Sequence, residues 1–481
     1  MRVLLVNAPK LGEEGVINLM YPPLGLLYLA SYVREREDVE VAVLDGCREK
    51  YADLLTRIHA FAPDVLGVSF TTQAATGAYR LVNDLKPIRD QAEKPLVIYG
   101  GPHTTALPEE VLRRSHGDVA VLGEGETTFL DLVQQFRKGR LKLADTLGVA
   151  YLVNGEVKIN PKRPLIKDLD TLPLPARDLI DLSVYPGSYY KQEKTETYLT
   201  SSRGCPYNCV YCSNPVWKYH KPWYRLRSPQ KVVDEIEHIV NELGIREIYD
   251  QTDEFNGNLK WAKEVCDEIV RRGLKVKMKA QLRSDRVDQE LAEKMAAAGF
   301  WLTLFGVESG NAGTLRGIDK RTTPEMNRRA LSLMKSAGIK TFALLMAFNV
   351  WEEEGRLCFE GKDETLKTLD YARELIDDGL LDLISWSLTT PYPGSKLYDI
   401  AINHHLIRAE LQGQWEHWDS SERMVMQLPG ITEKDWIKIQ NQGKKLQFFL
   451  LLKSGTFNLK SFPLYVKRGL SQIKKAFRRR L

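Results

Sequence analysis

The sequence predicts an α/β protein built from two parallel-sheet arrays in tandem. The first is a doubly wound, Rossmann-like sheet, the second a partial (βα)6 TIM-type barrel, and a helical C-terminal segment follows. Three observations carry this expectation. Short apolar runs alternate with amphipathic stretches over residues 1–145 and again over 193–400, and βαβα alternation implies parallel strands covered by helices. The intervening residues 146–192 lose that alternation and are rich in proline, as a connector would be. At 481 residues the chain exceeds one ordinary domain. Residues 401–481 form the C-terminal segment.

In the first array the strand candidates are residues 3–6, 39–44, 65–70, 96–99 and 119–122, with helical patterns such as 23–36 and 109–114 between them. Ligands of such sheets bind outside the carboxyl ends of the strands. Those ends carry Ser69 and Thr72, then Gly100-Gly101-Pro102-His103, then Gly123-Glu124-Gly125-Glu126. Ser69, Thr72, Gly100, Gly101, His103, Gly123 and Gly125 are therefore the candidate ligand contacts. In the connector, residues 151–159 read as a hairpin turning at Asn154-Gly155.

The second array has six strand candidates: 198–200, 247–249, 276–280, 301–307, 341–346 and 383–386. Its clearest helix starts at Ser228 as N-cap with Pro229 in the first turn. Val232, Val233, Ile236, Ile239, Val240 and Leu243 form its apolar stripe, and Gly244 ends it.

Composition narrows the function classes. With 43% hydrophobic and 27% charged residues the chain reads as globular. No apolar run reaches the roughly 20 residues a bilayer requires, and no signal-peptide pattern opens the sequence. A cytoplasmic location is expected. The net charge of +5 is uneven. Residues 453–481 hold nine Lys or Arg and no acid, so the rest of the chain, +5 less those nine, carries −4. Three of the six cysteines fall within eight residues and the others stand singly. That spacing points to metal binding rather than disulfides.

The decisive passage is Ser202-Arg203-Gly204-Cys205-Pro206-Tyr207-Asn208-Cys209-Val210-Tyr211-Cys212, a C-x3-C-x2-C motif following a strand. Thiolates are the usual ligands of iron–sulfur clusters, and three of them leave one iron of a four-iron cluster open. A structural zinc site using His220 is the alternative, although zinc commonly takes paired C-x2-4-C units and only one is complete here.

At these residues the chain resembles the radical S-adenosylmethionine superfamily. The resemblance implies a [4Fe–4S] cluster on Cys205, Cys209 and Cys212, whose open iron binds S-adenosylmethionine. Cleavage by an electron from an external low-potential donor would then give a hydrogen-abstracting 5′-deoxyadenosyl radical. It also implies an adenine-side position for Tyr211 and contacts to the methionine amino group from Asp253, with Glu254 behind it. Arg283 would meet the carboxylate, and Glu308, in Gly306-Val307-Glu308-Ser309-Gly310, would meet the ribose. Each of these single residues could instead be a cap or a surface ion pair. Residues 347–355 depart from the Gly-x-Pro-Gly-Glu-like segment of relatives, so no adenine contact carries over from that strand. Pro391-Tyr392-Pro393-Gly394-Ser395 fits the family.

The first array resembles the cobalamin-binding domain that precedes the radical domain in one large subgroup. The resemblance rests on Tyr21-Pro22-Pro23-Leu24-Gly25-Leu26, the Gly100 to His103 turn and the Gly123 to Glu126 turn. Where classical carriers place the cobalt-ligating histidine of Asp-x-His-x-x-Gly, the frame here reads Asn7-Ala8-Pro9-Lys10-Leu11-Gly12. Proline cannot ligate cobalt. His103 would act from another loop or serve as a hydrogen-bonding turn residue, and a degenerate domain that holds no corrin is a further alternative. With only Cys47 upstream of the motif, the extra cysteines of methylthiotransferases are missing.

Cofactors expected on this basis are a [4Fe–4S] cluster, S-adenosylmethionine and cobalamin. The expected reaction is methylation of an unactivated carbon of a hydrophobic, lipid-like small molecule, with cobalamin as methyl carrier. Oxidative cyclisation or ring rearrangement is the alternative, and a non-enzymatic cofactor-binding sensor stands behind both. Cations alternate with Phe457, Leu459, Phe462, Leu464, Tyr465, Leu470, Ile473 and Phe477 in the tail, a pattern suited to peripheral contact with the inner face of a membrane. Packing on the barrel is the other use for it, and nucleic acid is not expected as a partner.

Overall fold

A computed structural model describes residues 1–11, 21–92, 95–188, 190–420 and 423–453. The sheets form where the apolar runs predict them. β1 (Arg2–Asn7), β2 (Glu40–Asp45), β3 (Val65–Ser69), β4 (Leu96–Gly100) and β5 (Val119–Val121) are parallel; β6 (Val149–Val153) and β7 (Glu156–Ile159) add antiparallel, giving the order β2-β1-β3-β4-β5-β6-β7. The hairpin of the connector thus extends the first sheet past residue 145. Val149, Ala150 and Tyr151 pair with β5 and are buried, which gives that otherwise short edge strand a partner.

Both faces of this sheet are covered. Leu4, Val6, Leu66, Val68, Val97 and Ala120 pack into one core, and Val3, Leu5, Val65, Ile98, Val119 and Val121 into another. That alternation is what a strand buried on both sides requires. The second core rests on the helices Leu24–Arg34 and Glu126–Arg137.

The second array comprises β8 (Glu196–Leu199), a short ribbon of β9 (Ser202–Arg203) and β10 (Arg225–Leu226), then β11 (Glu247–Asp250), β12 (Lys277–Leu282), β13 (Phe300–Glu308) and β14 (Lys340–Ala347). A hairpin of β15 (Val350–Glu353) and β16 (Arg356–Phe359) precedes β17 (Leu383–Leu388). The six-stranded sheet runs β17-β14-β13-β12-β11-β8, all parallel. Ser228 caps its helix as expected, accepting from the Lys231 N–H, and the helix runs Pro229–Asn241.

The inner face of this half-barrel gathers Tyr249, Leu302, Leu304, Phe342 and Leu383, with Tyr190 and Leu451 packed against them. Below lies a buried ionic floor. Lys279 meets Glu196 and lies 3.3 Å from Glu247, and its ammonium faces the Tyr190 and Trp301 rings. The C-terminal helix, Glu433–Lys453, covers β17, the last strand of the sheet.

Candidate active site between the two sheets

The carboxyl ends of the first sheet face the start of the second across a cavity of about 380 Å3. Ser69, Gly100, Gly101, Gly123 and Gly125 line it, with Leu5, Gly67, Ile98, Leu29 and Phe129 making an apolar slot beneath. From the second array come Tyr198, Thr200, Arg203, Gly204, Trp217, Arg225, Gln251 and Asp253. A Cβ on Gly25 or Gly100 would meet nothing within 4 Å, and one on Gly125 only Leu29 at 3.9 Å. These three glycines leave room for a ligand that comes up against backbone. Gly101 and Gly123 serve the protein instead: their φ values are +100° and +81°, and a Cβ would strike Phe70 O at 2.6 Å or the Tyr219 hydroxyl at 2.0 Å. A glycine floor that lets a ligand lie against backbone suits a large flat ring system such as a corrin.

Thr72 and His103 do not line this cavity. The His103 ring is fully buried, with Nδ1 3.2 Å from Thr72 Oγ1 and Nε2 3.1 Å from the Tyr79 hydroxyl. Burial, reinforced by Arg114, pushes its pKa down to about 3. Both nitrogens are engaged by protein, so His103 holds the Gly100–Gly101 turn from behind. Of the Pro9 frame, Gly12 lies outside the described residues; Asn7 donates to Asp45 at 2.8 Å, and Pro9 sits tight against Gly77.

The cysteine loop leaves β9 through Gly204, whose φ of +77° and whose approach to Trp223 O, 1.9 Å from a would-be Cβ, admit no side chain. Val210 N–H donates to Ile318 O at 2.9 Å and Leu397 N–H to Val210 O at 2.8 Å, which pins the loop to the body of the barrel. Cys205, Cys209 and Cys212 are free thiols. Burial, with Glu254 and Asp253 nearby, pushes Cys205 up to about 12, and burial with Asp253 and Cys209 nearby pushes Cys212 up to about 11. A thiolate set in such surroundings calls for a cationic centre, and coordination to iron is what would deprotonate it.

Among the described residues no three His, Cys, Asp or Glu side chains converge as a single metal ion would need. His220 is exposed and 3.2 Å from Lys162 O, which speaks against the zinc alternative.

Around the loop the other expected residues come together. Tyr211 donates to Glu308 at 2.8 Å, at the carboxyl end of β13, and Glu308 has the left-handed φ of +59°. Such a conformation in a non-glycine residue costs roughly 1–2 kcal/mol and persists where its surroundings hold it. Lys320 holds it here, donating to Glu308 at 2.9 Å and to the Tyr211 hydroxyl at 3.2 Å.

Arg283 lies on the Tyr207 ring, 3.5 Å from its centroid, and donates to Asp285 at 2.9 Å, with Glu254 at 3.8 Å. Glu254 is buried, which raises its carboxyl to about 7, and it lies 3.7 Å from the Cys205 sulfur. Asp253 is exposed where it opens onto the cavity, and the protein around the cavity raises its carboxyl by desolvation.

Sequence reasoning missed Lys320 and a bridge between the two arrays. Arg203, two residues before Cys205, donates to Glu124 at 3.0 Å and to Glu126 at 2.6 Å. Arg225, paired with Arg203 in the ribbon, reaches Glu124 at 2.9 Å. The Tyr28 ring, which lines the cavity, stacks under Arg203 at 5.6 Å. Two acids in one turn and an arginine beside the motif were the available signal. Nothing in the sequence pairs them.

Comparison with known proteins agrees with this geometry. Residues 15–133 match the B12 binding domain and residues 199–357 the Radical SAM superfamily. An uncharacterized methyltransferase of Pyrococcus horikoshii is 34% identical over 444 residues, covering 91% of this chain and 90% of that protein. An anaerobic magnesium-protoporphyrin IX monomethyl ester cyclase of Rubrivivax gelatinosus is 29% identical, covering 83% and 69%. The hopanoid C-2 methylase of Rhodopseudomonas palustris is 23% identical, covering 84% and 67%.

In fold, the chain is similar to a radical S-adenosylmethionine methyltransferase from Kitasatospora setae, with a TM-score of 0.65 at 21% identity, over 85% of this chain and 77% of that one. Joined to the cysteine loop and the glycine-floored cavity, these similarities mean that the chain belongs to the B12-binding radical S-adenosylmethionine enzymes, which work with cobalamin, a [4Fe–4S] cluster and S-adenosylmethionine.

Proposed function

We propose that this enzyme methylates an unactivated carbon of a hydrophobic, uncharged, lipid-like small molecule, using an external low-potential electron donor. The observation that carries the substrate class is the inner face of the half-barrel. Past the strand starts, where Lys277 and Lys340 open β12 and β14, the half-exposed side chains include Tyr198, Gln281, Leu344, Met346, Ser385 and Ser387. Side chains alternate along a strand, so Leu344 and Met346 share the inner face with Phe342, and the two serines share it with Leu383. None of the six carries a charge. A charged substrate would lose its hydration against such a wall without a partner; a largely apolar one with a few hydroxyls would not.

The residues divide the work by position. Cys205, Cys209 and Cys212 would hold the cluster. Asp253, Glu254, Arg283, Tyr211, Glu308 and Lys320 surround the space beside it, offering both signs of charge to an amino acid and a ribose. Ser69, Gly100 and Gly125 would bear the corrin, on turns whose backbone Gly101 and Gly123 make possible. With these groups bound, the cluster is the electron source for cleaving S-adenosylmethionine and cobalamin the methyl carrier. The Arg203 bridge holds the two halves of the site at a fixed separation.

The methyltransferase and methylase among the relatives support methylation. The similarity to a cyclase keeps ring formation as the second reading. Anaerobic incubation with methyl-labelled S-adenosylmethionine, titanium(III) citrate and a lipid extract separates them. Label in a lipid together with 5′-deoxyadenosine and S-adenosylhomocysteine is the expected result. An altered, unlabelled product would favour cyclisation, and a labelled water-soluble product would contradict the substrate class.

A further inference from the structure

The C-terminal helix rounds the edge of the half-barrel. Gly443 lies so close to Trp386, on the outer face of β17, that a Cβ would stand 2.3 Å from the indole. Eight residues on, about 12 Å along a helix, Leu451 is buried with Tyr190, Phe342 and Leu383 of the inner face. Its neighbour Leu450 belongs to the outer core. The end of this helix is therefore wedged between the two cores, over the seam beside β17.

The other side of the same turns carries exposed apolar side chains. Phe448, Phe449 and Leu452 are 53%, 57% and 49% exposed. Lys453 follows, and it opens the 29-residue stretch of nine cations and no acid. Among the described residues no helix is long and apolar enough to cross a membrane. Exposed aromatic and aliphatic side chains next to a dense cationic segment complement the interface of an anionic bilayer, where apolar burial and charge attraction add.

Inside the seam, Leu451 belongs to the same buried cluster as Phe342, and Leu344 and Met346 continue up that residue's strand. They span about 13 Å of apolar wall toward the strand ends where Glu308 and Tyr211 sit.

We propose that the end of this helix is a membrane-seated portal. It docks on an anionic bilayer, and the seam it covers admits the hydrocarbon chain of a membrane lipid to the inner face of the half-barrel. This deepens the substrate reading above and rests on it, but its test reads binding rather than turnover.

Full-length Phe449→Trp protein is mixed with vesicles of phosphatidylglycerol or phosphatidylcholine carrying acyl-brominated lipid. Tryptophan emission that is specifically bromine-quenched in the anionic vesicles is expected, judged against a wild-type control. Phe448→Ser/Phe449→Ser should weaken sedimentation with phosphatidylglycerol vesicles at least tenfold. cis-Parinaric acid, a fluorescent acyl chain, should bind the vesicle-free protein. Leu344→Trp, which fills the inner face, should abolish that binding without changing vesicle sedimentation.

Absence of bromine-specific quenching would overturn the docking surface. So would an emission already blue-shifted without lipid that turns red on truncation after Lys453, since the tail would then be the occupant. Parinarate binding indifferent to Leu344→Trp would overturn the portal. Vesicle docking together with a labelled water-soluble product would instead sink the substrate reading and leave the docking surface standing.

Discussion

Replacing Arg203 with Gln tests whether the two arrays form one site. Arg203 makes two charge-assisted hydrogen bonds across the interface, 3.0 Å to Glu124 and 2.6 Å to Glu126, with side chains 21%, 10% and 8% exposed. Glu124 would keep Arg225 at 2.9 Å and the Ile166 N–H at 2.9 Å. Glu126 has no other ion-pair partner among the described contacts and would be left as a buried, uncompensated charge.

Removing one member of a buried pair costs about 3–5 kcal/mol. The partial exposure of Arg203 and the surviving Glu124 contacts favour the lower end, about 3 kcal/mol. The exposed Arg34–Asp178 pair, 42% and 61% exposed, is the control; such pairs are worth about 0–1 kcal/mol. Urea titration of apo-protein under anaerobic conditions should show that loss for Arg203→Gln and less than about 1 kcal/mol for Arg34→Gln. Hydroxocobalamin binding, followed by difference absorption, should weaken about tenfold, since the cavity is walled by both arrays and tenfold is about 1.4 kcal/mol. If Arg203→Gln matched Arg34→Gln in both measurements, the bridge would not be what holds the halves of the site together.

Gly100→Val should fold normally, because a Cβ there meets nothing within 4 Å and the methyls beyond it enter the cavity. It should lower hydroxocobalamin affinity at least tenfold by filling the floor of the cavity, as read by equilibrium dialysis. Lys320→Gln should weaken S-adenosylmethionine binding at least tenfold in a filter-binding assay while iron content is retained, because Glu308 loses the cation holding it in its left-handed conformation.

His103 gives a pH signature. Burial holds it neutral down to about pH 3, whereas the unfolded chain titrates near 6.5. Between those values the unfolded state binds more protons, so stability falls as pH falls below about 6.5, by up to ~1.4 kcal/mol per pH unit. The difference between wild type and His103→Gln in urea stability should therefore shrink by about 1.6 kcal/mol from pH 6.5 to 5; a constant difference would mean that the ring is not neutral in the fold.

Much of the architecture was legible because strand burial writes itself into the sequence. Val3, Leu4, Leu5 and Val6 are apolar without a break since the first sheet is covered on both faces, and Ser228-Pro229 marks a helix start by local chemistry alone. The cysteine loop was legible for the same reason, its three thiols lying in one short segment. What failed to show is what depends on side-chain direction or distant pairing. Thr72 and His103 follow strand ends as a ligand site would, but turn inward to each other.

The hairpin of β15 and β16, which carries Cys358, is acidic and has no strand-like apolar run to announce it. Glu353 and Glu354 are exposed at its turn, and the pairing of Val350 with Phe359 is not encoded in any short window. Arg203 and Glu126 are 77 residues apart, and only the folded chain brings them together.

The central claim is that one enzyme couples the cysteine loop to a corrin site across the interface. Its most direct test is the product ratio of a single anaerobic reaction. Protein reconstituted with iron, sulfide and hydroxocobalamin receives methyl-labelled S-adenosylmethionine, titanium(III) citrate and lipid extract, and 5′-deoxyadenosine and S-adenosylhomocysteine are quantified together. Both should form, with deoxyadenosine lost in Cys209→Ala and S-adenosylhomocysteine lost when cobalamin is withheld. Deoxyadenosine formed equally by Cys209→Ala, or S-adenosylhomocysteine formed equally without cobalamin, would contradict the account.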